Sequence, residues 1–184
     1  MTNDRYRNIY LDNHSHFCTA SIVARMPLLN DDHARKLILD SWNRQRVRYS
    51  VLIEGFVLMP DHIHLLVRGL GDDVRRFMQY ALAETSRSLR HALELRARQG
   101  DVAAKNHLRI MSARANGSAS GKVWKERFRC IPLDREDAVR QKLEYMHRNP
   151  IKAGLTDDLA GWAWSSYSHY AGNGCVLRVD DALA

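Results

Sequence analysis

The side chains of this chain best suited to chemistry lie in two short stretches, His62-Ile63-His64 and Tyr145-Met146-His147-Arg148-Asn149-Pro150. On a strand, residues i and i+2 point to the same face. His62 and His64 therefore project together while Ile63 turns into apolar packing. Two such imidazoles can offer nitrogen ligands to one divalent cation at ~2.0–2.2 Å. This needs neutral imidazole, hence a pH not far below ~6.5. The pair opens a strand that continues Leu65-Leu66-Val67, where polar groups require partners or a ligand. An accidental pair on a half-exposed strand would fit the same residues. Tyr145 and Asn149 stand at i and i+4 and can share one helical face. Tyr145 flanks the stripe Val139, Leu143 and Met146, so its ring can pack while its hydroxyl reaches a cleft. Asn149 offers a neutral oxygen as a third metal ligand, and Pro150 disfavours helical geometry at Asn149. A core-flanking tyrosine and an asparagine that closes a helix would also fit.

The elements that must position these groups follow from periodicity and punctuation. His14 to Arg25 mixes polar and β-branched residues and reads as a first strand. Pro27 and Asn30-Asp31-Asp32 stop it and cap a helix that carries Ala34, Leu37, Ile38 and Trp42 at helical spacing to about Arg48. Tyr49 to Met59 reads as a second strand, Pro60-Asp61 as a tight turn, and His62 to Arg68 as a third strand closing a hairpin. Gly69 and Gly71 end it, and Asp72 or Asp73 caps a long helix with the stripe Val74, Phe77, Met78, Ala81 and Leu82. Leu95 to Lys122 is polar, basic and ends in Asn116-Gly117-Ser118-Ala119-Ser120-Gly121, which predicts an extended loop or frayed helix end, with residues 96–122 a flexible insertion. Val123 to Leu133 includes a short strand. Asp134 caps the helix that bears Tyr145, and Glu136 and Asp137 complement its dipole. Trp162 and Trp164 read as core in the tail, and no internal repeat or second core is visible. Strand, helix, hairpin, helix, strand, helix is a split β-α-β order. It predicts an α+β fold: an antiparallel sheet with two helices on one face, plus the tyrosine-bearing helix.

Composition bounds the function. The 184 residues are 45% hydrophobic and 27% charged, which suits one globular domain over residues 1–184. No apolar run reaches the ~18–20 residues that would span a bilayer, and no apolar signal-peptide core is present, so no membrane partner is expected. Cys18, Cys130 and Cys175 are far apart with no CxxC pair, which predicts neither a disulfide scaffold nor a cysteine zinc site and points to a reducing cytoplasm. A net charge of +7 raises the local concentration of polyanions, of which nucleic acid is the usual one.

Four blocks then carry a family resemblance. Phe56 to Val67 (FVLMPDHIHLLV) resembles the histidine motif of the insertion-sequence-200-like transposases, especially the REP-associated tyrosine transposases of the HUH class. Glu144 to Leu155 (EYMHRNPIKAGL) is similar to that family's tyrosine helix, and Trp124 to Phe128 (WKERF) and Trp164 to Tyr167 (WSSY) resemble two further blocks, in order. The resemblance runs over residues 10–171. It implies a ferredoxin-like (RRM-like) catalytic domain acting on single-stranded or hairpin DNA, in the cytoplasm at the nucleoid. By position, it makes His62 and His64 metal ligands, Asn149 the third ligand and Tyr145 the nucleophile. Asp61 stands where Asn is common, and Leu95–Lys122 is longer than the family pattern. The family includes dimers with active sites shared in trans and monomers complete in cis, so both monomer and homodimer are open.

The chemistry is consistent with that implication. A phosphodiester resists attack until a cation polarises its oxygen, so Mg²⁺ or Mn²⁺ is expected. Attack by Tyr145 would leave a 5′-phosphotyrosine and a free 3′-OH, allowing strands to be rejoined without a nucleotide cofactor. A phenol of pKa near ~10 needs activation, for which Asp61 is a weak candidate and His147 a structural residue instead. Arg87, Arg90, Lys122, Lys125, Arg127 and Arg129 are candidate DNA contacts, and Trp124 and Phe128 either stack on bases or pack the last strand. A non-catalytic nucleic-acid-binding regulator and a metal-dependent phosphoesterase are the alternatives.

Overall fold

The computed structural model describes residues 8–113 and 122–181. Four strands, β1 (Ser15–Ser21), β2 (Leu52–Met59), β3 (His62–Arg68) and β4 (Arg129–Leu133), form one antiparallel sheet in the order β2-β3-β1-β4. The helices are α1 (Asp32–Arg48), α2 (Gly71–Arg98), α3 (Val102–Ala113), α4 (Glu136–His147), α5 (Asn149–Lys152) and α6 (Tyr167–Tyr170). Strand alternation sorts the side chains. Ile63, Leu65 and Val67 of β3 join Phe56, Trp42 and Phe77 in the larger core, against α1 and α2. Leu66 faces the other way and joins Phe17, Val57, Met59, Val139, Leu143 and Met146 in a smaller core under α4. The sheet is thus covered on both faces. A second apolar cluster exists where none was expected, because both faces of β2 and β3 are apolar and a strand so buried shows little alternation.

Several helix boundaries are set by distant or neighbouring side chains. Asp31 caps α1, accepting from the His33 amide at 2.8 Å as expected. For α2 the cap comes from elsewhere: Asp12 Oδ1 accepts from the Gly71 amide at 2.7 Å, while Asp72 and Asp73 lie in the first turn, where they complement the dipole. Arg135, not Asp134, is the residue that precedes α4. The polar stretch from Leu95, expected as an extended loop or frayed helix end, is mostly helical where described. α2 runs on to Arg98 because Leu89 and Leu93 extend its buried stripe. The chain reverses at Gly100 (φ +97°), and Asp101 Oδ1 accepts from the Ala104 amide at 3.0 Å to start α3. Only Ala104 and Met111 of α3 are buried, so the periodic signal was thin. The rest of that stretch, 114–121, lies outside the described residues.

β2 is an edge strand, and the chain's own tail covers it. Leu58 N donates to Trp164 O, Ser166 N to Phe56 O and Asp180 N to Ile53 O, each at 2.8–2.9 Å. Pairing an open edge in this way removes a template for aggregation. Trp162 and Trp164, expected as core, are half-buried and sandwich the Arg35 guanidinium at 5.0 and 5.2 Å. Cys18 and Cys130 are opposite one another on β1 and β4 and are joined as a disulfide. The sequence reading expected none, because a separation of 112 residues hides a cross-strand pairing. No helix among the described residues is long and apolar enough to cross a membrane.

Candidate active site

The register of the sheet lines up the site in rows. Val57, His64, Thr19 and Arg129 are successive partners across β2, β3, β1 and β4, and Met59, His62 and Ser21 form the row beside them. The imidazoles of His62 and His64 stand 4.9 Å apart, edge to face. Each is oriented through Nδ1. His62 Nδ1 donates to Asp61 Oδ1 at 2.6 Å, and His64 Nδ1 is hydrogen-bonded to Thr19 Oγ1 at 2.8 Å. Neither Nε2 has a hydrogen-bond partner among the described residues. Burial pushes the pKa of His64 down to about 3, with the charges of His62, Arg25 and Lys142 adding to the effect, so its ring is neutral near pH 7.

The other oxygen of Asp61 is also taken. Arg25 reaches Asp61 Oδ2 at 3.2 Å from a turn in which Ala24 and Arg25 both adopt φ 55°. That backbone costs a non-glycine residue about 1–2 kcal/mol, and it brings the guanidinium to the carboxylate. With both oxygens engaged, Asp61 orients His62 and does not fit the role of the base that activates Tyr145.

α4 crosses the same face and carries Tyr145 to the histidines. Leu143 and Met146 pack down on the sheet at Gly55, where a Cβ would stand 2.6 Å from Leu143 Cδ2 and 2.8 Å from Met146 Cε. The absent side chain allows this close approach. The Tyr145 ring lies 5.7 Å from that of His64 and 6.2 Å from that of Phe17, which stacks on His64 at 5.3 Å. Tyr145 is 43% exposed, so its hydroxyl is open to a ligand. An open cleft of about 380 Å³ is lined by Phe17, Thr19, Ser21, Arg25, His62, His64, Arg129, Ile131, Lys142 and Tyr145.

His147, two residues on, points away from the cleft. It is buried, its Nε2 bonds Ser166 Oγ at 2.8 Å, and burial lowers its pKa to about 4. Ser166 Oγ also accepts from the Phe56 amide at 2.9 Å, so His147 ties α4 to the tail and to β2.

The structure therefore brings together His62, His64, Tyr145 and Arg129 of the residues singled out from sequence. Asn149 opens α5, does not line the cleft, and its Nδ2 is buried without a partner. Arg87 and Arg90 lie on α2, across the sheet from the histidines. Lys122 pairs with Glu126 at 2.8 Å, and Lys125 and Arg127 are exposed. Trp124 is a correction: it is buried in the larger core, its Nε1 donating to Thr85 Oγ1 at 3.0 Å, so no face is open for a base. Phe128 also packs against that core. Sequence reasoning missed Thr19, Arg25, Lys142 and Lys152. Only Lys142 had a local signal, three residues before Tyr145 and so on its helical face.

No protein-family model and no curated protein matches the chain. Among solved structures, a REP-associated tyrosine transposase bound to a REP hairpin is similar with a TM-score of 0.65 at 17% identity, over 97% of this chain and 93% of that one. Another, described as a candidate transposase of Deinococcus radiodurans R1, gives a TM-score of 0.44 at 15% identity, over 77% of this chain and 95% of that one. Over nearly its whole length, the chain has the fold of a REP-associated tyrosine transposase.

Proposed function

We propose that this chain is a single-tyrosine DNA transposase of the REP-associated type, cutting and rejoining single-stranded or hairpin DNA through Tyr145. The observation that carries the reading is the meeting of Tyr145 with His64, at 5.7 Å between rings, in a cleft that His62 also lines. A core tyrosine would be covered, and an incidental histidine pair would have no reason to be oriented at both Nδ1 atoms. The strand order β2-β3-β1-β4 in strand-helix-hairpin-helix-strand succession supports a ferredoxin-like single catalytic domain. The hairpin bound by the structural neighbour supports hairpin DNA as the partner, which would place the protein in the cytoplasm at the nucleoid.

The donor set fits a divalent cation, Mg²⁺ or Mn²⁺. His62 donates from Nδ1 to Asp61, which would leave its Nε2 lone pair as a ligand; His64 would offer Nε2 likewise in the tautomer whose Nδ1–H donates to Thr19, and partners at Nδ1 are what metal-binding histidines ordinarily have. Among the described residues no group of three His, Cys, Asp or Glu could hold a metal, so a third protein ligand must be of another type. Asn149, by its amide oxygen, is the candidate that the resemblance implies, and it would have to move to reach the histidines, since it does not line the cleft. When bound, the cation polarises the phosphodiester and offsets developing charge. Tyr145 Oη attacks phosphorus, the P–O3′ bond breaks, and the phenolic proton is passed by way of solvent to the leaving 3′-oxygen. The 5′-phosphotyrosine conserves the bond, and a 3′-OH rejoins the strand by reversal.

Tyr145→Phe is expected to abolish the denaturation-resistant protein–oligonucleotide adduct with hairpin substrates in Mg²⁺ or Mn²⁺, while affinity for the oligonucleotide changes less than about threefold. Gel analysis of the adduct and a binding titration read both. Cleavage by Tyr145→Phe at the wild-type rate overturns the nucleophile; cleavage without any adduct assigns a phosphoesterase, and binding alone a regulator.

A further inference from the structure

Two lysines flank the Tyr145 ring from different helices. Lys142 Nζ lies 5.6 Å from the centre of the ring and 5.2 Å from that of Phe17, and Lys152 Nζ lies 5.3 Å from the centre of the Tyr145 ring. Lys142 is on α4, one turn before the tyrosine; Lys152 ends α5. Their electrostatic setting differs from that of two neighbouring cations. Arg25 is matched by Asp61, and Arg148 pairs with Glu144 at 2.9 Å. Among the described residues neither Lys142 nor Lys152 forms an ion pair. Two ammonium groups drawn to one phenol repel each other, and the quadrupole of the ring offsets that only in part. Lys142 also lines the cleft. A site so arranged, with both ammonium groups against the ring of Tyr145, is short of an anion.

We propose that Lys142 and Lys152 form a phosphate clamp that holds the non-bridging oxygens of the scissile phosphodiester against Tyr145. The inference rests on the transposase reading above. In the ground state the clamp neutralises a monoanionic diester. As the Oη–P bond forms and the P–O3′ bond weakens, a second negative charge develops on the same oxygens, and two fixed cations gain most at that point. After the leaving 3′-oxygen takes its proton, the phosphotyrosine stays within reach of both ammonium groups. These are catalytic residues by contact with the reacting phosphate. They come from α4 and α5, whereas the histidines stand on β3, so the two sets are independent parts of the site.

The test is single-turnover adduct formation on a saturating hairpin oligonucleotide carrying a single-stranded flank, with Mn²⁺, for three proteins. The double variant Lys142→Met/Lys152→Met keeps length and apolar stem but removes charge. It is expected to form adduct on the order of 100-fold more slowly, the scale of losing donors to a developing oxyanion, with oligonucleotide affinity changed less than about fivefold and an unchanged circular dichroism spectrum. Lys142→Arg/Lys152→Arg is expected to stay within about tenfold of wild type, since charge is retained. A Met variant that reacts at the wild-type rate overturns the clamp, as does an Arg variant as slow as the Met variant, which would make shape and not charge the cause. Wild-type protein that forms no adduct overturns the transposase reading itself and the clamp with it.

Discussion

Thr19 illustrates how much of the site rests on single side chains outside the histidine motif. Its hydroxyl is bonded to His64 Nδ1 at 2.8 Å, and register alone brings it there, since Thr19 is the cross-strand partner of His64. Where Nδ1–H donates to that hydroxyl, the lone pair of the ring is left at Nε2, and burial keeps the ring neutral down to a pKa of about 3. Asp61 does the same for His62, with Arg25 holding the carboxylate from its left-handed turn. Thr19→Val preserves shape and removes the hydroxyl. It is expected to weaken Mn²⁺ binding about 10- to 100-fold, the usual effect of losing such a supporting partner, as read by calorimetric titration of metal into protein. Binding as tight as wild type would mean that packing between Phe17 and His62 alone orients His64. Nothing local in the sequence marks Thr19, because its role depends on a pairing of β1 with β3 that skips 45 positions of chain.

Elements are held in place by contacts of the same kind. α4 is anchored from below by Leu143 and Met146 on Gly55, and from behind by the bond of His147 to Ser166. The second anchor is sensitive to acid. His147 has a pKa of about 4 in the fold against 6.5 when unburied. Between those values the unfolded chain holds the extra proton, so stability falls as pH falls from 6.5 toward 4 and is fully retained above that window. The full effect is roughly 3 kcal/mol. His147→Gln keeps an N–H for Ser166 and cannot titrate. Its unfolding free energy, from denaturant melts between pH 6.5 and 4, is expected to decline less steeply than that of wild type, and parallel curves would refute the assignment. The elements themselves were legible where a turn bounds an apolar run or a stripe recurs. HIHLLVR follows Pro60-Asp61 directly, and Val139, Leu143 and Met146 mark the buried stripe of α4. α3 was not, because two buried residues in twelve give no period, and the start of α2 was misplaced because its cap, Asp12, lies 59 positions earlier. The tail that pairs with β2 was unreadable for the same reason: Trp164 and Ser166 bind backbone atoms, which carry no sequence signal.

At the scale of the whole molecule, the decisive arrangement is that the histidines and the tyrosine of one chain meet each other. α4 reaches the sheet of its own chain, buries Phe17, Val57, Leu66 and Met146 in one cluster, and sets Tyr145 against His64. His147 and Ser166 tie it to β2 of the same chain. For Tyr145 to serve the histidines of another copy, that cluster would have to open, and Met146, fully buried, would be exposed. Emptying a core of a side chain that size costs about 2–5 kcal/mol, before any loss at Ser166. The site is therefore expected to be complete in cis, whatever the number of chains in solution. Mixing His64→Ala protein with Tyr145→Phe protein checks this, because each variant lacks one half of the site and retains the other. If each chain works alone, the mixture stays inactive at every ratio and concentration. If α4 exchanges between chains, equimolar mixing restores about one quarter to one half of wild-type adduct formation on hairpin DNA. Restoration of that size would show that the cluster around Met146 is rebuilt between two chains, and that the arrangement within one chain is not the working one.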